Sequence, residues 1–346
     1  MKKAVVFLIK WALVLLIFVW LFYRANQDNA FERLWACDKN GFYLTVGGIL
    51  STLGVLITFV RWQWLVQALG VPLSTAETMR LGFIGYVFNL SPMGIVGGDL
   101  VKGILLANKS PDAKAACAVS VIADRVIGLY AMFLLGLVAV VWTGFWRHTE
   151  PEAIFGTRAI FWLAVISTAG TIFLLLPESK KSWRKRFIRA LPLAGRLFEQ
   201  LFDAAAIYRS RWKTLVVSLA ATFIVHILFA LGLWCFALGL FGYAPSAGEH
   251  MVIYPIANCG SMIPLSAGPM EYFLDVLYRL FEIPGHDRCG AGFGMMVGLT
   301  YRVTTIIVAA AGGLYCLASR SEIKAALGQI KEGEREKSDR SRGDRA

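Results

Sequence analysis

Six ionisable side chains sit within or beside the longest apolar runs of the sequence: Asp99, Lys102, Asp124, Arg125, Glu271 and Arg302. Charge inside such a run is expensive, so its default reading is functional, with a partner to be named. Cations of this type hold phosphate, and carboxylates hold an amine or another cation. Asp99 and Lys102 close the stretch Asn89–Lys102, which reads Asn-Leu-Ser-Pro-Met-Gly-Ile-Val-Gly-Gly-Asp-Leu-Val-Lys. Pro92 cannot continue the apolar run Leu81–Phe88 as a helix, and Gly94, Gly97 and Gly98 loosen the backbone behind it. Gly97 and Gly98 are expected to lead into a half-helix whose free N–H groups and positive dipole end suit phosphate, with Lys102 one turn in. Asp99 is then either a ligand-facing carboxylate or the N-cap of that half-helix. A second break, Ile263–Glu271, carries Pro264, Gly268 and Pro269 just ahead of Glu271.

Asp124 and Arg125 are neighbours in sequence and point about 100° apart on a helix, so they are not expected to pair with each other. The structural alternative for Arg125 and Arg302 is a brace with Asp124, Asp99 or Glu271. Asp275 and Arg279, spaced i,i+4, most simply form a local ion pair. Asn89, Ser91, Asn258 and Ser266 are placed to satisfy unwound backbone or to touch a polar ligand. His148, His226, His250 and His286 have no metal-ligand spacing, and His226 reads as a packed, hydrogen-bonded side chain. No H-E-x-x-H, G-x-S-x-G or Walker motif occurs, so neither a cofactor nor a metal is expected.

The elements that must position these residues are membrane helices. Apolar residues make up 57% of the chain and mean hydropathy is +0.59, and several runs exceed the roughly 20 residues needed to cross a bilayer. The expectation is an all-α polytopic membrane protein with about six full spans and two broken or re-entrant hairpins. One transmembrane domain covers 1–318, and a charged, disordered tail covers 319–346. The net charge of +12 collects in connecting segments, above all in the loop 178–213, which places that loop on the cytoplasmic side. No base-reading module accompanies the charge, so nucleic acid is not an expected partner. Leu197, Phe198, Leu201, Phe202 and Ala205 recur in this loop at helical spacing, as in a helix lying on the membrane surface, with a solvated connector as the alternative. The six cysteines show no paired spacing and read as packing residues.

With both termini and the basic loop inside, the span 41–60 ends at Arg61-Trp62-Gln63-Trp64 as an interfacial belt. The first broken segment, about 79–107, must then enter and leave from the cytoplasmic face, and the second, 250–281, from the opposite face. That makes two repeats of opposite orientation, about 41–145 and 214–318. Asp124-Arg125 and Tyr301-Arg302 fall at matching depths, and a site is expected near the midplane where the repeats meet. The competing topology has each broken segment crossing fully as two short helices.

Several residues together resemble a family of flippase-like membrane proteins that includes the transmembrane region of lysylphosphatidylglycerol synthases. They are Arg61-Trp62, Asn89…Pro92…Gly97-Gly98-Asp99, Asp124-Arg125, Pro264…Gly268…Glu271 and Arg302. The chain departs from that pattern in carrying Lys102 where arginine is usual, and Ala267-Gly268-Pro269-Met270 where a Gly-Gly-x-Gly run is usual. The resemblance implies movement of a lipid or lipid-linked polar group between leaflets, and it does not imply aminoacyl transfer.

The expected substrate-binding set is Asp99, Lys102, Arg125, Glu271 and Arg302 around a central polar cavity, with Asn89, Gly97, Gly98 and Asp124 beside them. The expected partners are an anionic or lipid-linked substrate and the membrane lipids, in a bacterial or archaeal plasma membrane, with homo-oligomerisation open. An intramembrane headgroup transferase using Asp99 or Glu271 as base is one alternative. A scaffold that recruits a lipid synthase is another.

Overall fold

The computed structural model describes residues 2–90, 94–176, 195–263, 265, 267–283 and 289–328, with backbone alone at 2–8, 94–96 and 195–201. The described residues are overwhelmingly helical. The helices are α1 (Lys2–Gln27), α2 (Ala30–Ala36), α3 (Gly41–Ala68), α4 (Thr75–Asn89), α5 (Gly94–Lys109), α6 (Lys114–Thr143) and α7 (Pro151–Leu175). There follow α8 (Gly195–Ser210), α9 (Trp212–Phe241), α10 (Ala247–Asn258), α11 (Pro269–Tyr278) and α12 (Phe293–Ala318). Six of them, α1, α3, α6, α7, α9 and α12, are long and apolar enough to cross a membrane. Their outward faces stay apolar: Leu16, Val19, Trp142, Phe155, Ile166, Ile307 and Leu314 are all exposed, as lipid-facing side chains should be.

The four helices of the two broken segments are shorter. At 15 and 16 residues, α4 and α5 rise about 22–24 Å, and at 12 and 10 residues, α10 and α11 rise about 15–18 Å, each less than a full hydrocarbon core. In each segment the first helix folds back on the second. The first fold-back is a contact of glycines: a Cβ on Gly98 would lie 2.1 Å from the Gly85 carbonyl oxygen and from Asn89 Oδ1. The second turns through Gly268, whose φ of 101° favours glycine.

The bundle centres on α3 and α9, which run antiparallel. Asn40 N–H donates to the Gly239 carbonyl, Gly47 faces Phe236, Ser51 faces Gly232, Gly54 faces Phe229, and Arg61 reaches Thr222. Around this seam the packing comes in counterparts. As α4 lies on α12, so α10 lies on α6; as α5 lies on α6, so α11 lies on α12; as α3 touches α6, so α9 touches α12.

Three expectations need correction, and a fourth holds but is incomplete. The second span does not end at an interfacial Arg61–Trp64 belt: α3 continues to Ala68, and Arg61, Trp62 and Gln63 are buried. Leu65, Val66 and Ala68 are buried too, so the apolar face runs on past Arg61 and carries the helix with it. Gly97 and Gly98 do not precede the half-helix. It begins at Gly94, so Gly97 lies in the first turn and Gly98 inside the helix, and Asp99, further in, is not its N-cap. The tail is not disordered from its start, because residues 320–328 are helical, with Ile323 and Ala326 buried among Trp62, Val66, Leu81 and Leu105. Asp275 does more than pair with Arg279, which it meets at 3.9 Å. Its Oδ1 accepts from Gly292 N–H at 2.6 Å and Met295 N–H at 3.4 Å, capping α12 from the preceding helix.

The helix expected in the basic loop is α8. Phe202, Ala204, Ala205 and Tyr208 are buried against the bundle, and Tyr208 donates its hydroxyl to the Leu65 carbonyl at 3.1 Å. The basic residues from Lys180 to Arg189, together with Ser91, Pro92, Pro264, Ser266, His286 and the end of the tail, lie outside the described residues.

Candidate functional site

Asp99 and Lys102 on α5 sit one turn apart and face α6, where Asp124 and Arg125 project. Because those two diverge around the helix, each takes its own partner. Arg125 donates Nε–H to Asp99 Oδ2, and Arg61 donates Nε–H to Asp124 Oδ1 at 3.0 Å. Lys102 Nζ lies 3.2 Å from Asp99 Oδ1 and 3.6 Å from Asp124 Oδ2, and 4.7 Å from the Trp62 ring centroid, joining the two pairs. Arg61 is only 5% exposed, a position that needs every donor satisfied. Its Nη1 donates to Thr222 Oγ1 at 2.9 Å and its Nη2 to the Asp124 carbonyl at 3.3 Å. The result is three cations against two carboxylates.

These groups line a cavity of about 220 Å³ that also meets Asn89, His226, Tyr254 and Tyr301. His226 Nε2 lies 2.9 Å from the Gly128 carbonyl, which can only accept, so Nε2 carries a proton. Its Nδ1 is 3.3 Å from the Tyr254 hydroxyl. The hydrogen-bonded role expected of His226 holds, and the residue also faces the cavity.

A second cavity of about 150 Å³ is lined by Arg302, Ser261 and Thr305. Tyr86, Asn89, Asn258 and Tyr301 line both, forming the wall between them. Arg302 on α12 donates Nε–H to Glu271 Oε1 at 2.7 Å. Glu271 is 1% exposed and lies behind the arginine, accepting from Gly268 N–H through Oε2 at 2.8 Å. That bond fastens the carboxylate to the turn entering α11, so the arginine is held from a rigid point.

The structure therefore gathers the expected residues into two groups. Asn89, Asp99, Lys102, Asp124 and Arg125 line the first cavity, and Arg302, backed by Glu271, lines the second. Gly97 and Gly98 line neither, and Gly98 serves the crossing with α4. Arg61 was misread as interfacial because its partners lie 63 and 161 residues away. Tyr86 was the more legible omission, since it stands one turn before Asn89 on the same face. Among the described residues no three His, Cys, Asp or Glu side chains gather as metal ligands, and the six cysteines are free.

Comparison with curated proteins and with solved structures gave no match. Residues 7–313 match the family described as the lysylphosphatidylglycerol synthase TM region. That match and the six candidate spans make this an integral membrane protein with a membrane-lipid-related function. With most of its length covered, the chain belongs to the lysylphosphatidylglycerol synthase transmembrane-region family.

Proposed function

We propose that the protein moves a phospholipid or a lipid-linked polar headgroup between membrane leaflets. The observation that carries this reading is a pair of arginines, Arg125 and Arg302, each held by a carboxylate of a short broken-segment helix. Each lines one of two cavities that share a wall in the bundle core. A charged head crossing hydrocarbon unaided meets a barrier of several kcal/mol or more. Arginines already paired with carboxylates lower it by exchange: a phosphate can take the arginine while Asp99 keeps Lys102 and Glu271 keeps the Gly268 N–H.

The matched packing of α3–α6 and α9–α12 supports an inverted repeat, with the two hairpins dipping in from opposite faces. On that arrangement one cavity serves each leaflet, and both termini and the basic loop are cytoplasmic. Asn89, Asn258, Tyr86 and Tyr301 form the barrier that the headgroup passes.

The test uses purified protein in liposomes carrying labelled phospholipids or polyprenyl phosphates, with and without an ion gradient. Wild type is expected to deplete outer-leaflet label rapidly. Arg302→Ala and Asp99→Asn, shown to be folded by gel filtration, are expected to slow it at least about tenfold, the loss of about one charge-assisted hydrogen bond in the transition state. No movement of any labelled lipid by wild type would sink the reading.

A further inference from the structure

The α3–α9 seam closes on glycines at one end and has none at the other. Its last glycines are Gly54 on α3 and Gly232 on α9. Past Arg61 and Thr222 the two helices carry Trp64, Gln67, Lys213 and Val217, and a groove of about 350 Å³ opens between them. Arg211, Lys213, Thr214, Trp64 and Gln67 line it, with no carboxylate among the described lining residues.

Among the described residues, Arg211 and Lys213 are unengaged. Arg209, two residues earlier, donates to the Leu175 and Leu176 carbonyls at the end of α7. The side chains of Arg211 and Lys213 make no hydrogen bond or ion pair among the described residues, and both are exposed. Two unpaired cations beside one groove offer a charge that an anion complements.

We propose that this groove binds the headgroup of an anionic phospholipid, at a site separate from the central cavities. Arg211 and Lys213 take the phosphate, Thr214 and Gln67 offer polar contacts, and Trp64 covers the glycerol region. The anion is that of a lipid rather than free phosphate because apolar surface continues from the groove along α9. Trp212, Val216 and Val217 are 59%, 54% and 51% exposed at the start of a candidate span, where an acyl chain can follow the head.

Short-chain phosphatidylglycerol or phosphatidylcholine titrated into detergent-solubilised protein, with adducts counted by native mass spectrometry, tests this. Wild type is expected to hold one more phosphatidylglycerol than the variant Arg211→Ala/Lys213→Ala, with affinity falling about fivefold for each cation removed. The charge-preserving variant Arg211→Lys/Lys213→Arg keeps that adduct. The same difference is expected in an Arg302→Ala background, which separates this site from the central cavities. Three results would each overturn the proposal: equal phosphatidylglycerol binding by the double-alanine variant, equal retention of phosphatidylcholine, or displacement of the lipid by millimolar inorganic phosphate.

Discussion

In the first half of the molecule, Arg61, Lys102 and Arg125 meet Asp99 and Asp124 in one connected network. In the second, Arg302 meets Glu271, and the residue preceding Arg302 is Tyr301, where Asp124 precedes Arg125. Tyr301 packs edge-on against Phe229, with ring centroids 6.2 Å apart, and Phe229 in turn packs on Tyr254 at 5.7 Å. Similar helix packing is thus braced by ion pairs on one side and by aromatic rings on the other. The difference teaches where charge is structural. Arg61 and Asp124 border the first cavity with only 6% and 7% of their side chains exposed and are nearly sealed, whereas Arg302 at 26% is open to its own cavity. A sealed pair braces, and a half-open one can exchange partners.

The strongest way to break this comparison is to neutralise one carboxylate in each half. Asp124→Asn strands Arg61 in the core and should cost about 3–5 kcal/mol. Glu271→Gln keeps an acceptor for Gly268 N–H and leaves Arg302 beside the cavity, so about 1.5–3 kcal/mol is expected. Unfolding midpoints in a denaturing detergent, followed by tryptophan fluorescence, rank the two, and the reverse order would refute the sealed-versus-open distinction.

The second test asks whether the closest backbone contacts made by the two broken segments are equally tight. A Cβ at Gly98 meets the Gly85 carbonyl oxygen at 2.1 Å, and one at Gly294 meets the Leu274 carbonyl oxygen at 2.3 Å. Both obstacles are backbone, which cannot swing aside, so Gly98→Ala and Gly294→Ala should each cost about 1–3 kcal/mol. Gly48→Ala, with nothing within 4 Å, is the control and should be neutral or slightly stabilising.

The smallest effect concerns how each hairpin begins. Glu249 caps its own helix, exchanging hydrogen bonds with Ser246, while Glu77 reaches across from α4 to Lys109 at the end of α5. The Lys109 hydrogen bond, ahead of its charge and the Ser74 hydrogen bond, holds the Glu77 carboxyl below its ordinary value of 4.5. The stabilisation is therefore present above that value and is lost as pH falls through the lowered one. Wild type should exceed Glu77→Gln in stability at neutral pH by at most about 1 kcal/mol, and the gap should vanish in acid. A gap that persists at low pH would remove the ion pair as its cause.

How far the sequence could be read followed the range of the interactions involved. The spans were legible because apolar length is a property of a single segment, and both breaks were legible because Pro92, Pro264 and Gly268 act on their own backbone. That Asp124 and Arg125 would take separate partners followed from helix geometry. Which partners they would take did not, because Arg125–Asp99 and Arg61–Asp124 close between separate helices, 26 and 63 residues apart in the chain.

By itself the sequence determined an all-α membrane chain, two interruptions and a set of costly charges inside it, since local backbone preference and bilayer thickness decide those. Only the tertiary structure decided that Arg61 is core rather than interface, that Gly98 serves a helix crossing, and that the charges divide between two adjoining cavities. Burying a charge becomes tolerable only when its partners arrive from other helices, and no single segment carries that information.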